Sequence, residues 1–146
     1  MSIVFLVSIC AWVVAQLLKV FIALIRKKRI DLGLFVSSGG MPSAHSAMVS
    51  ALAASVAIVQ GFSSVAFGIS AIFAVVVMYD AAGVRRWVGR QSVVLNRIVQ
   101  EIRFRRPVTE LERDLREFIG HTQFQVVIGA LLGIGIAWIW FTISGT

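Results

Sequence analysis

Four apolar stretches organise this chain, and the segments between them decide which way each one runs. The first extends from about Ile3 to Ile25 and stops at the basic run Arg26-Lys27-Lys28-Arg29. A polar segment ending in Ser37-Ser38-Gly39-Gly40 leads to the second, from Pro42 to about Val59, rich in alanine and other small residues. Gln60-Gly61-Phe62-Ser63-Ser64 is an uncharged turn, after which the third stretch runs from about Val65 to Tyr79 and is closed by Asp80. The last covers about Thr122 to Phe141. A helical crossing of a bilayer needs about 20 mostly apolar residues. The pattern therefore predicts an all-α polytopic membrane bundle, one domain over residues 1–146, with about four transmembrane helices near 3–25, 42–59, 65–80 and 122–141.

Residues 91–119 follow a different rule. Leu95, Ile98, Val99 and Ile102 have helical i, i+3, i+4, i+7 spacing, with Arg97, Glu101 and Arg103 among them. Pro107 breaks this helix, and Thr109 with Glu112 fits a capping box that opens a second one carrying Leu111, Leu115 and Phe118. Basic amphipathic helices of this kind lie in the membrane interface and meet anionic headgroups. In the last apolar stretch, Gly129, Gly133 and Ala137 form an i, i+4 row that permits close approach by another helix.

Composition agrees with the pattern, and charge adds direction. The apolar share is 58% and the net charge +7. Apart from Lys19, every Lys and Arg lies between Arg26 and Arg29 or between Arg85 and Arg116. Without a regular aromatic alternation for base stacking, this argues against a nucleic-acid partner. The positive-inside rule instead places both basic blocks in the cytoplasm and both termini on the other side. The expected location is a bacterial or organellar inner membrane. Met1 to Ile25 has no basic region ahead of it and is expected to be retained as a helix. Cys10 is the sole cysteine and stands in an apolar run, so a packing role is expected.

That topology gathers polar residues that are far apart in sequence. His45 falls near the cytoplasmic start of the second span, Asp80 at the cytoplasmic end of the third, and His121 where the fourth begins. Arg85 and Arg86 follow Asp80, and Lys19 lies about 10 Å inside the boundary set by Arg26. Ionisable groups within a span are functional candidates by default, because inserting them is costly. Bland readings exist for each: Lys19 could snorkel, and Asp80 could simply pair with an arginine. Together they suggest a phosphate site. Gly39-Gly40-Met41-Pro42-Ser43 leads into a helix, with Pro42 suited to its first position, and amide hydrogens at a helix start attract anions. Two histidines suit a division between nucleophile and general acid. As metal ligands, two histidines and an aspartate are a thin set, so neither metal nor cofactor is expected.

The motifs Gly39-Gly40-Met41-Pro42-Ser43-Ala44-His45-Ser46-Ala47, Tyr79-Asp80-Ala81-Ala82-Gly83-Val84-Arg85-Arg86 and Gly120-His121-Thr122 resemble the divergent branch of the type 2 phosphatidic acid phosphatases. Gly89-Arg90-Gln91 and Leu95-Asn96 fit the same branch, and the resemblance runs from about Lys19 to Gly133. It implies a metal-independent lipid phosphatase working through a phosphohistidine. The wider superfamily, which includes lipid phosphatases and vanadium haloperoxidases, has a Pro-Ser-Gly-His motif matched by Pro42-Ser43-Ala44-His45, which implies that His45 is the general acid and that Ser43 contacts phosphate. His121 matches the nucleophile. Gln125 stands where that motif carries an aspartate, so it can orient the imidazole without supplying charge. The motif's Ser-Arg would fall on Asp114-Leu115 and does not match. The superfamily's Lys-x6-Arg-Pro motif is also missing in order, leaving Lys19, Arg85 and Arg86 to supply positive charge.

The resulting expectation is a membrane phosphatase that hydrolyses a lipid phosphate or pyrophosphate, an isoprenoid among the candidates, at the cytoplasmic face. His121, His45 and Asp80 would be catalytic. Lys19, Gly40, Ser43, Arg85 and Arg86 would bind phosphate, and Gln125 would orient. Two alternatives stay open: a non-catalytic binder of phosphorylated lipid, and a structural subunit that uses the Gly129 and Gly133 face. Superfamily members commonly have six core helices, so either a reduced bundle carries the site or two chains in a homodimer complete it.

Overall fold

The computed structural model describes residues 2–27, 40–84, 91, 94, 95, 98 and 122–145. Among them stand four long helices: α1 (Ile3–Lys27), α2 (Ala44–Gln60), α3 (Val65–Tyr79) and α4 (Gln123–Ser144). A π-helical turn, Asp80–Val84, extends α3. Ile3–Ile25, Val65–Gly83 and Gln123–Ser144 are long and apolar enough to cross a membrane. The protein is thus an all-helical membrane bundle. α2 has 17 residues, about 25 Å of helix, somewhat less than the roughly 30 Å hydrocarbon core.

α2 is the innermost helix and packs against each of the other three, most extensively α4. Its buried residues are mostly small, among them Ala44, Ser46, Ala47, Ser50, Ala51, Ser55 and Ala57. Lipid tails are as apolar as leucine, so helix association in a membrane depends on close packing, which small side chains allow. Gly129 and Gly133 of α4 face this surface. A Cβ on Gly129 would strike the Ser43 carbonyl, and one on Gly133 would strike the Ala47 carbonyl. The small-residue row read from the sequence as a face for a partner helix is therefore occupied within the chain by α2.

Helix ends are set by local hydrogen bonds. Ser43 caps α2, its Oγ accepting from the Ser46 amide at 3.4 Å and from the Ser46 hydroxyl at 3.0 Å. Pro42 accordingly precedes the cap instead of opening the helix, because serine offers the amides an acceptor and proline does not. Ser64 caps α3 by accepting from the Phe67 amide at 3.1 Å, after a turn whose Gly61 has φ +84°. α4 opens with a capping box: Thr122 Oγ1 accepts from the Gln125 amide, and Gln125 Oε1 accepts from the Thr122 amide at 3.0 Å.

Two buried clusters fix the directions. Ala15 of α1 packs with Ala44 and Ala47 of α2, and Leu132 of α4 leans on them. Nearer the other end, Val7 meets Ala137 and Phe141, with Ala54 beside them. α1 therefore runs antiparallel to both α2 and α4. Outward-facing positions are apolar, including Phe21, Ile25, Ile69, Ile72, Val76, Leu131 and Trp138. Such a belt suits lipid and would be untenable in water. In the amphipathic segment, the described residues Gln91, Val94, Leu95 and Ile98 are helical and exposed.

Candidate phosphate site

The site begins with Lys19, which is only 3% exposed although it lies inside an apolar helix. Its stem lies against Gly40: a Cβ at residue 40 would come 3.0 Å from Lys19 Cγ and 3.1 Å from Cδ. Gly40 has φ +97°, a left-handed conformation that glycine adopts without steric cost. Both its backbone angle and its missing side chain thus let the Gly40-Met41-Pro42 turn settle against the lysine.

Ser43, three residues on, ties this turn to α4. Its backbone amide donates to the Gln125 carbonyl at 3.1 Å. The starts of α2 and α4, which carry the two histidine motifs, are joined by that bond. The Ser43 side chain is fully buried and directed to Ser46 in the cap. His45 is half-buried in the first turn of α2. The N-terminal end of a helix carries partial positive charge, so this turn favours an anion.

Asp80 is half-buried at the first position of the π turn. Ser50 and Met78 meet across α2 and α3 at 3.8 Å, which brings the end of α3 alongside the first half of α2. The π turn itself touches α4. Hence α2, the extended α3 and α4 all end roughly level with Lys19. α1 continues eight residues farther to Lys27, about 12 Å of helix. His121, Arg85 and Arg86 lie outside the described residues, as does most of the segment 91–119. Among the described residues, no three His, Cys, Asp or Glu side chains come together as a metal-binding set would.

Two participants escaped the sequence reading. Gln16 is 6% exposed and precedes Lys19 by three positions, on the same face of α1. The signal was there, since a glutamine one turn from an intramembrane lysine is a polar pair on one helical stripe. Ser46 is fully buried, holds the Ser43 hydroxyl and lies beside Gly129. It passed as one more small residue because its role depends on α4.

An apolar helical bundle with polar groups gathered at one end of its central helix defines an integral membrane protein. The sequence profile of the Divergent PAP2 family matches residues 1–136, and the chain belongs to that family. YuiD, an uncharacterised membrane protein of Bacillus subtilis (strain 168), is 43% identical over 138 residues, with 87% of this chain and 86% of that protein covered. No solved structure matches the chain.

Proposed function

We propose that the protein is a membrane phosphatase that hydrolyses a lipid phosphate or pyrophosphate, an isoprenoid phosphate among the candidates, through a phosphohistidine. The observation that carries this reading is the join between Lys19, the Gly40 turn and the first turn of α4. A lysine buried within a span is a functional candidate, and the helix starts beside it favour a phosphate. His121 attacks phosphorus, and the bond from phosphorus to the lipid oxygen breaks as His45 protonates that oxygen. Water then attacks the phosphohistidine, with His45 taking its proton, and inorganic phosphate leaves. Lys19, Arg85 and Arg86 neutralise the phosphoryl oxygens, Gly40 allows close backbone approach, and Asp80 orients an arginine or His121. By the positive-inside rule, the basic blocks support a cytoplasmic location for this chemistry.

The test is metal-free phosphate release by purified protein from a panel of lipid phosphates and pyrophosphates. Release by the wild type should fall by about a hundredfold or more in His121→Ala and in His45→Ala. Release that survives both changes would refute the two-histidine mechanism. One observation favours a second reading, a binder without turnover: Gln125, at the position where the wider superfamily carries an aspartate, closes a helix cap. Retained lipid phosphate binding with no release from any substrate would select it.

A further inference from the structure

A cleft of about 360 Å³ lies away from the polar recess, between α1, α2 and α3. Phe5 and Ile9 of α1, Met48, Val49 and Leu52 of α2, and Phe73 of α3 line it. α1 and α3 both pack on α2 but scarcely meet one another, so the cleft opens sideways between them. Ser8, a polar residue in its wall, turns its hydroxyl to the Val4 carbonyl of its own helix at 2.7 Å. The surface offered to an occupant is therefore hydrocarbon.

Size and position select the occupant. The volume stands near the lower end of the roughly 300–1,000 Å³ found for small-molecule pockets. The inner end, at Met48, is three residues and about 5 Å of helix from His45. Along α1, Ile9 and Phe5 lie about 15 and 21 Å from Lys19. A chain whose head sits at Lys19 must therefore extend at least about 15 Å to fill the cleft, roughly half the hydrocarbon thickness.

We infer that this cleft seats the tail of a lipid phosphate with one long hydrocarbon chain, which enters laterally from the membrane while its phosphate rests in the Lys19 recess. The position of the head rests on the reading proposed above; the cleft and its fit to one chain do not. Transfer from lipid to the cleft brings little hydrophobic gain, because both are apolar. Selection comes from shape, the small volume of the cleft favouring one chain over two.

Two measurements test this. In the first, a single-chain alkyl phosphate with a photoreactive group about 15–20 Å from its phosphate is irradiated with the wild-type protein in vesicles. Labelling concentrated on Phe5, Ile9, Met48, Leu52 and Phe73 is expected. Equal labelling of the outward Leu131 and Ile134 of α4 would overturn the assignment, as ordinary lipid contact would then explain it. In the second, phosphate release is compared for long single-chain, short single-chain and diacyl monophosphates. Leu52→Trp should reduce the kcat/KM advantage of the long chain over the short one by about tenfold. Leu131→Trp on the outer face of α4 should leave that advantage intact. An unaltered ratio in Leu52→Trp, or a wild-type preference for the diacyl substrate, would overturn the inference. Absence of release from every substrate would defeat the phosphatase reading alone, since labelling needs no turnover.

Discussion

Lys19 is the most deeply placed charge of α1, and inserting a lysine into a span costs up to about 2.5–3.5 kcal/mol at the helix centre. Its packing on Gly40 at φ +97° shows how closely the turn before α2 is fitted to it. Lys19 was legible in the sequence as a charge within a span; Gly40 as its neighbour was not, because nothing local encodes that contact. Gln125 was legible only in part. Its place four residues after His121 marked the departure from a carboxylate, whereas its capping role emerged from the bond to Thr122. Glutamate also completes a capping box, so Gln125→Glu should keep stability within about 0.5 kcal/mol of wild type. The added carboxylate would support a charged imidazole at residue 121, and phosphate release should rise about tenfold. Unchanged release with unchanged thermal stability would show that position 125 does not act on His121.

At the scale of elements, the four helices were readable because apolar length and polar interruptions are local properties. Their starts were less so: Pro42 obscured Ser43 as the cap, and the π turn Asp80–Val84 has no sequence signature of its own. The i, i+4 glycine row announced close approach without naming the partner, which proves to be α2. That assignment predicts an asymmetry within α4. Gly133→Ala forces its Cβ against the Ala47 backbone and should cost about 1–3 kcal/mol. Gly135→Ala meets nothing within 4 Å and should be neutral or slightly stabilising. Thermal unfolding in detergent, followed by helical circular dichroism, separates them. Equal losses would mean that the α2–α4 contact does not depend on a bare glycine surface.

For the whole molecule, the site follows from unequal helix lengths. Among the described residues α1 continues about 12 Å past Lys19, and the polar turn before α2 settles against that lysine. Charge asymmetry made the common end of Lys19, His45 and Asp80 legible, since topology alone determines which span ends are shared; His121, expected beside them, lies outside the described residues. The Ser43–Gln125 bond adds a direct join between two of those ends. The apolar cleft was illegible, because it arises from how α1 and α3 flank a shorter α2. The most direct measurement of the central claim is capture of the covalent intermediate. Purified protein is mixed with a lipid phosphate radiolabelled in its phosphoryl group, quenched in base and assayed for protein-bound label. The account predicts label that is stable to base, lost in acid, located at His121 and absent from His121→Ala. Phosphate release without bound label, equally fast in His121→Ala, would contradict it.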